Sequence, residues 1–559
     1  MRRFKERAPT RTVAVIRSFF SGASRHLILK ESPMADGGIG VYSLSLQLNY
    51  DETQLLRTYG KGMQPAFARA SAYAELYERF CNRCGVTGYL FDDPSEETVP
   101  SPERLAAAFP AFDGKADAFL RYLLAECPAV REKPYLSVTP GEAPLFADPR
   151  HIFTYCGTNG MAAGNSLEEA LVQGISELAE RSVLCRCLRG APLKLAEIPD
   201  AVLAAEAPES FEKIRAVREK GFSLRFFDAA AATGLPVVLS LWVNRAHGVH
   251  AVKLGAFPVF SVAVERCVTE AMQGRGLQDY AQFTPNAPYT GTGREDFYYL
   301  FKYGDGLLPE QLFTEAVPLQ TLSRQVYLHK RAGNRALLAH FAALGKTGGF
   351  RLFYRDVSLT SEMAAVQVYS PELCGAFPTE HLRMEECPAA VSRFLARPQV
   401  ADAREAAALL AQFDAIPALP DAICARLHLS GLESWAYVYV AAMLFLCTGD
   451  LQRASDQLER IETAGGFEYL PQIAALRCIL RYRLAEPDDA VRRKKLALWG
   501  YDDAATAAFS GDPAALCNRC LSDGLFGALY QKNRALTAAM QRLFTKLRAA
   551  GFPEGKADV

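Results

Sequence analysis

The short pattern Glu-x-x-Glu-Arg occurs twice in this chain, each time inside an apolar run that is typical of a helix. Residues 71–80 read SAYAELYERF, and residues 176–182 read SELAERS. Because positions three apart on a helix lie on one face, the two glutamates of each copy are expected to point the same way. Two helices that each present paired carboxylates form either two solvated faces or one shared cation site.

Each copy follows a loop that contains glycine. The loops read YGKGMQ at residues 59–64 and GTNGMAAGNS at residues 157–166. A glycine-rich loop that leads into a helix suits an anion, and Mg²⁺ prefers carboxylates together with phosphate oxygens. We therefore predict a site for a metal-bound nucleotide. The predicted metal ligands are Glu75, Glu78, Glu177 and Glu180.

Two alternatives bear on this prediction. A single Glu-x-x-Glu-Arg is most often a solvated helix face with an i,i+4 salt bridge, but a second copy behind its own glycine loop favours the cation site. Neither loop matches GxxxxGK[ST]. The sequence therefore argues against a P-loop ATPase.

Composition excludes several classes of protein. A chain of 559 residues should divide into two or three domains, and its 62 basic and 62 acidic residues leave no charge excess for nucleic acid. The N-terminal apolar run, TVAVI, is too short for a signal peptide, and the run YVYVAAMLFLC at 437–447 is too short to span a bilayer. We expect a cytoplasmic protein without a nucleic-acid or membrane partner.

The fourteen cysteines raise the question of a zinc site. Cys81 and Cys84 form one CxxC pair, and Cys517 and Cys520 form another. Two such pairs suit a tetrathiolate zinc site, but these lie far apart in sequence within helix-like segments. Buried, reduced cysteines that act as small apolar residues are the favoured interpretation.

The alternation of strand-like and helix-like segments over residues 1–395 predicts an α+β fold, with a largely antiparallel sheet covered by helices. Predicted strands are Val41–Leu48, Leu224–Phe227, Val237–Val243 and Val249–Lys253. Predicted helices are 66–83, 166–188, 209–220 and 261–276.

A second domain is predicted over residues 396–559, after prolines at 371, 378, 388 and 398. Its composition favours paired helices. One pair is predicted at 435–447 and 451–461, joined by a tight turn, and another at 469–484 and 485–499. We expect an all-α domain of helical hairpins that is similar to tetratricopeptide repeats.

The two motifs and their loops, followed by a third segment with the sequence AVERCVTEAMQGR at 263–275, resemble the YcaO family. The resemblance spans roughly residues 1–395. It implies ATP binding without a P-loop, with Mg²⁺ held by the four glutamates. It implies that the following residues contact the nucleotide: Lys5, Thr12, Ser71, Arg79, Asn165, Glu169, Arg181, Gln273 and Arg275. Of these, Arg79, Arg181 and Arg275 are the expected catalytic residues, whereas Lys61 either belongs to this site or is a surface lysine.

The resemblance also implies a reaction. YcaO enzymes phosphorylate a backbone amide oxygen from ATP, so that a nucleophile can replace it in a peptide or protein substrate. Azoline-forming members typically end in Pro-x-Pro-x-Pro, whereas residues 551–559 read GFPEGKADV. This tail argues against azoline formation.

The layout of a YcaO core followed by helices is similar to stand-alone bacterial YcaO proteins that are accessory factors in methylthiolation of a ribosomal protein. Such a role implies a sulfur donor or a methylthiotransferase as partner. A homodimer is also expected. The alternative is a non-catalytic scaffold with a YcaO fold, whose helical domain binds a protein partner.

Overall fold

The computed structural model describes most of the chain, with gaps. The described residues are 5–84, 104, 107–109, 132–188, 193–273, 276–279, 283–286, 308–329, 331–373, 390–391, 393–394, 399–410, 435–463, 470–498, 536, 538–540 and 542–547.

The strands of these residues form three sheets. In chain order they are β1 (Leu27–Glu31), β2 (Ala35–Asp36), β3 (Tyr42–Tyr50), β4 (Thr53–Gly62), β5 (Lys133–Ser137), β6 (Leu145–Ala147), β7 (Met161–Gly164), β8 (Ala196–Glu197), β9 (Ser223–Asp228), β10 (Val237–Asn244), β11 (Val249–Ala256), β12 (Thr284–Pro285), β13 (Val317–Pro318), β14 (Phe353–Asp356) and β15 (Ala364–Tyr369). The sheets are β1–β4 with β3 at the centre, β12-β11-β10-β9-β8-β13, and β6-β5-β14-β15-β7. Among these strands all pairs are antiparallel except β8 with β13, so the predicted antiparallel character is confirmed.

Helices pack on these sheets. In chain order they are α1 (Pro9–Ala23), α2 (Pro65–Cys81), α3 (Pro149–Cys156), α4 (Leu167–Leu188), α5 (Asp200–Glu206), α6 (Pro208–Glu219), α7 (Ala230–Thr233), α8 (Phe260–Glu270), α9 (Gln311–Thr314), α10 (Asn334–Gly348), α11 (Val400–Leu410), α12 (Trp435–Thr448), α13 (Leu451–Thr463), α14 (Leu470–Ala485) and α15 (Asp489–Ala497). No helix in the described ranges combines the length and apolarity that a bilayer crossing needs.

Three helices that matter for the site, α2, α4 and α8, pack so closely on a preceding strand that only glycine fits there. A Cβ added at Gly60 would lie 2.0 Å from the carbonyl oxygen of Ala68 in α2. A Cβ at Gly164 would lie 2.4 Å from the Ala170 nitrogen in α4, and one at Gly255 would lie 2.2 Å from the Ala263 oxygen in α8. The glycines therefore set how closely each helix approaches its strand.

Local sequence explains where α2 and α4 begin. Pro65 occupies the first turn of α2, where its missing N–H costs no hydrogen bond. The hydroxyl of Ser166 accepts a hydrogen bond from the Glu169 backbone N–H at 3.1 Å, which satisfies one of the N–H groups in the first turn of α4. Both predicted helices are confirmed within two residues at each end.

The third predicted helix, 261–276, is too long, because α8 ends at Glu270. Backbone hydrogen bonds from Met272 to Thr269 and from Gln273 to Glu270 close tight turns instead of another helical turn. The Gln273 side chain donates to the Tyr59 carbonyl oxygen at 3.0 Å, which holds the chain toward β4.

Beyond residue 399 the described residues form helices and the short connections between them. The predicted pair 435–447 and 451–461 corresponds to α12 and α13, joined by Gly449 with φ +81°. The predicted helix 485–499 is shorter, because Asp488 caps α15 by accepting from the Ala490 and Val491 N–H groups. The tetratricopeptide-like assignment stays a prediction. The predicted boundary at residue 395 lies outside the described residues.

Candidate functional site

The first motif lies on α2 with its carboxylates held by its own arginine. Arg79 contacts Glu78 at 3.1 Å and Glu75, one turn earlier, at 3.6 Å. The Glu78 side chain is 11% exposed, against 28% for Glu75. Ser71, the other predicted residue of this helix, is half-buried. The i,i+3 spacing therefore brings both glutamates to one face, as predicted.

The second motif faces the first across the site. Burial raises the pKa of Glu78 well above its usual range; Arg79 opposes this shift, and the charges of Glu177 and Glu75 reinforce it. Burial likewise raises the pKa of Glu177, opposed by Arg181 and Arg79 and reinforced by Glu180 and Glu75. The glutamates from α2 and α4 therefore share one electrostatic environment, in which neighbouring carboxylates from both helices help to raise the pKa values of Glu78 and Glu177.

This environment fits a cation, although the carboxylates are not clustered as metal ligands. Among the residues that the structure describes, no group of three acidic, histidine or cysteine side chains is arranged to hold a metal ion. Burial opposes the charge of Arg79, but Glu78, Glu75, Cys84 and Glu177 together raise its pKa. Arg79 is thus the positive charge that contacts Glu75 and Glu78 in this structure.

A second cluster joins the N-terminal arm to the start of α4. Lys5 Nζ lies 3.0 Å from Glu169 Oε1, and the Glu6 backbone N–H donates to Glu169 Oε2 at 3.2 Å. Thr12 donates to Asn165 Oδ1 at 2.8 Å, and Asn165 Nδ2 lies 3.1 Å from both Glu169 oxygens. Four residues predicted from two distant segments therefore meet in one hydrogen-bonded network.

Lys61 is largely enclosed and lies beside α8, which argues against the surface-lysine alternative. Its ammonium group forms an ion pair with Glu270 and donates to Gln273 Oε1 at 2.7 Å. Burial lowers the pKa of Lys61 to about 8, opposed by Glu180 and Glu75 and reinforced by Arg266 and Lys253. Residues 59–62, predicted as part of a glycine loop, are instead the end of strand β4, because they pair with β3. This strand places Lys61 between the carboxylates and α8.

Sequence analysis did not single out Arg266 and Glu270 of α8. Arg266 donates to the Gln173 side chain on α4 and, at 2.8 Å, to the Ala256 carbonyl oxygen. Burial lowers the pKa of Arg266, and Glu180 and Glu177 oppose the shift. The sequence did contain a signal for them, because Arg266 and Glu270 are charged residues four positions apart inside the apolar third segment. That spacing reads equally well as an ordinary salt-bridged face.

Two predictions fall partly or wholly outside the described residues. Arg275 is outside them, and so are Cys517 and Cys520, so the tetrathiolate zinc alternative stays a prediction. Cys81 and Cys84 are buried, and burial raises the pKa of Cys84 to about 12. A thiol with that pKa is protonated at neutral pH.

Comparison with known proteins shows that part of the chain is similar to one protein family. A family model described as a YcaO cyclodehydratase, ATP- and Mg²⁺-binding, matches residues 135–374. The ribosomal protein S12 methylthiotransferase accessory factor YcaO of Escherichia coli is 31% identical over 269 residues, which are 43% of this chain and 44% of that protein. An uncharacterized protein of Haemophilus influenzae is 41% identical over 128 residues, 23% of this chain and 22% of that protein. The chain thus matches less than half the length of each curated relative.

Two solved structures are similar at low identity. A heterocyclase in complex with substrate and cofactor gives a TM-score of 0.45 and 18% identity, covering 67% of this chain and 54% of that one. The YcaO structure of Methanopyrus kandleri bound with AMPPCP and Mg²⁺ gives a TM-score of 0.44 and 17% identity, covering 66% of this chain and 91% of that one.

The helices α4 and α8 lie inside the region that the family model matches, whereas α2 precedes it. The family model's description gives ATP and Mg²⁺ as the ligands of this domain. The chain therefore contains a YcaO-family domain.

Proposed function

We propose that this chain is an ATP- and Mg²⁺-dependent enzyme that activates a backbone amide of a peptide or protein by phosphorylating its oxygen. The observation that carries the proposal is the shared electrostatic environment of the glutamates on α2 and α4. Lys61 and Arg266 border the same environment from β4 and α8. Buried carboxylates beside buried cations are what a metal-bound polyphosphate requires.

In this proposal Glu75, Glu78, Glu177 and Glu180 would hold Mg²⁺, which would neutralise phosphate charge. Arg79, which contacts Glu75 and Glu78 in this structure, would stabilise the charge of the phosphates. The nucleotide contacts are Lys5, Thr12, Lys61, Ser71, Arg79, Asn165, Glu169, Arg181, Gln273 and Arg275, of which Arg79, Arg181 and Arg275 stabilise charge during transfer.

The N-terminal arm and Lys61 have definite tasks here. Lys5 is paired with Glu169 and is 40% exposed, so it can swing from the carboxylate to a phosphate. Glu169, which is buried, would then keep its hydrogen bonds from the Glu6 backbone N–H and from Asn165 Nδ2. Lys61 is more enclosed, at 24% exposed, and its ion pair with Glu270 keeps it pointed into the site. Each lysine forms an ion pair with a carboxylate that orients its side chain.

The proposed reaction has a simple balance. The γ-phosphoryl group passes to the amide oxygen and leaves ADP, which makes that oxygen a good leaving group. A nucleophile then adds to the amide carbon, and the oxygen departs within inorganic phosphate. A side-chain thiol or hydroxyl would give an azoline, sulfide a thioamide and an amine an amidine. The chain's own residues position the reactants and neutralise the charge of the phosphoryl group, and none of them is needed as a nucleophile.

A second candidate is an accessory ATPase of ribosomal-protein methylthiolation. It is favoured by the identity to the E. coli protein whose name states that role. A methylthiotransferase or a sulfur donor would then be the partner, and the proposed helical domain, residues 396–559, would recruit it. In both cases we propose a cytoplasmic homodimer, with residues 1–395 as the catalytic domain.

An isotope experiment separates these functions. A synthetic peptide pool with ¹⁸O in its backbone carbonyls is incubated with the protein, ATP and Mg²⁺, and the released phosphate is analysed by mass. Amide activation transfers ¹⁸O to phosphate, and the Glu75→Gln Glu177→Gln variant should abolish that transfer. If the wild type releases phosphate faster than the double variant does, but that phosphate carries no ¹⁸O, the result would favour the accessory ATPase. Nucleotide binding with hydrolysis at the variant's rate would favour the non-catalytic scaffold.

A further inference from the structure

The C-terminal segment, defined here as helical residues 536, 538–540 and 542–547, packs against the beginning of the chain. Its apolar residues fall on one stripe of a helix. They are Leu536, Met540, Leu543, Phe544 and Leu547, and all are buried in the apolar cluster that contains α1 and α2. Arg542, Thr545 and Lys546 are exposed. The chain therefore returns, after the helices α12–α15, to the helix that carries Glu75 and Glu78.

Phe544 contacts the C-terminal end of α2 twice. Its ring stacks on Phe80, with centroids 5.0 Å apart and planes 27° apart. The guanidinium carbon of Arg83 lies 5.4 Å from the centroid of the same ring. Aromatic pairs and arginine–aromatic contacts both stabilise beyond the apolar area that they bury. Phe544 therefore joins the last helical turn of α2 to the residue that ends it.

Arg83 is an unusual residue to end a helix. Its φ is +59°, in the left-handed region, and its N–H donates to the Phe80 carbonyl oxygen while that of Cys84 donates to Arg79. Glycine adopts this conformation without steric cost, and other residues do not. The chain accepts that strain at a position where the side chain contacts Phe544.

The opposite side of this helix end is also fixed. Asn82 Nδ2 donates to the Glu78 carbonyl oxygen at 3.0 Å and to the Val366 carbonyl oxygen of β15 at 3.3 Å. The end of α2 is thus held between β15 and the C-terminal segment, one turn beyond Glu78. A movement of this end would carry Glu78 with it.

We propose that the C-terminal segment is a strap that positions α2 for binding Mg-ATP, with Phe544 and Arg83 as positioning residues. The inference rests on the proposed function of the site. Neither residue touches the reacting atoms, because both lie at the C-terminal end of α2, beyond the glutamates.

The test compares Arg83→Gly and Phe544→Leu with Leu27→Ala, a change in the same apolar cluster but on β1. Arg83→Gly should leave the thermal midpoint about unchanged, because relief of the left-handed strain offsets the lost contact with Phe544, and yet weaken Mg-ATP binding about tenfold. Phe544→Leu should weaken binding similarly. Leu27→Ala should lower the midpoint and leave the affinity unchanged. A residue with only a structural role would not separate stability from affinity in this way.

Hydrogen exchange without nucleotide supplies a second measurement. Amides of residues 78–84 should exchange faster in Arg83→Gly and Phe544→Leu than in the wild type and Leu27→Ala. Unchanged exchange at these amides would contradict the proposed role of the C-terminal segment. Wild-type affinity for Mg-ATP in both Arg83→Gly and Phe544→Leu would contradict it as well. If the wild type does not bind Mg-ATP at all, the proposed function fails, and the exchange measurement alone decides whether the strap holds α2.

Discussion

Replacing Gly60 by alanine should displace the helix that carries the first pair of glutamates. The new Cβ would lie 2.0 Å from the Ala68 oxygen, 2.4 Å from the Ala72 nitrogen and 2.7 Å from the Ala72 Cβ. Two of these atoms belong to the helix backbone, so rotating a side chain cannot relieve the clash. Ordinary contact distances require α2 to move from β4 by on the order of 1 Å.

Overpacking of this kind costs about 1–3 kcal/mol of unfolding free energy. The cost should appear as a thermal midpoint several degrees lower, measured by circular dichroism or calorimetry. Because Glu75 and Glu78 move with the helix, Mg-ATP affinity should fall at least about tenfold, in line with the sensitivity of such sites to small displacements.

Gly22 provides the matched control. It lies in the last turn of α1, where an added Cβ would have no atom within 4 Å. Gly22→Ala should therefore be neutral or stabilise by about 0.5–1 kcal/mol, since alanine is the better helix former. Equal midpoints and equal affinities for the two variants would refute the close strand–helix contact.

Further predictions concern the charges of the site. The raised pKa values of Glu78 and Glu177 mean that the folded protein keeps protons on these groups that the unfolded chain has already lost. Without metal, the stability of the wild type should therefore fall as pH rises above about 4.5. The reference is Glu78→Gln Glu177→Gln, in which these two groups cannot titrate. Thermal midpoints across pH check this, and a constant difference would contradict it. The pKa of Lys61, about 8, should rise beside bound phosphates, so binding at pH 8 should take up as much as about half a proton in the wild type and less in Lys61→Met. Calorimetry in buffers of different ionisation enthalpy measures the uptake, and equal values would count against the contact. Lys5→Met should weaken Mg-ATP binding about tenfold with a small change in midpoint, because the buried Glu169 keeps its hydrogen bonds from the Glu6 N–H and from Asn165 Nδ2. Unchanged affinity in a titration would remove Lys5 from the site.

Local patterns in the sequence were sufficient to predict the two helices that carry the glutamates, α2 and α4. The two Glu-x-x-Glu-Arg helices follow from apolar periodicity, a proline at the start of α2 and a capping serine, Ser166, at the start of α4. Strands β10 and β11 follow from β-branched runs, and both are present close to their predicted limits.

Contacts between distant segments could not be predicted from the residues alone. Nothing in the spacing of Lys5 and Glu169 says that residues 164 positions apart form an ion pair. The end of α8 was missed because the side chain of Gln273 bonds to Tyr59 on another strand, and helical propensity carries no information about that partner. The contact between Phe544 and Phe80 has the same character.

The central claim is that carboxylates from α2 and α4 hold one Mg²⁺–ATP complex. It is tested most directly by titrating ATP, with and without Mg²⁺, into the wild type, Glu75→Gln Glu177→Gln, and the control Glu212→Gln Glu219→Gln. The control removes two exposed carboxylates from α6. We expect Mg²⁺-dependent binding in the wild type and the control and its loss in the first double variant. Binding that is indifferent to Mg²⁺, or equal in all three proteins, would contradict the account.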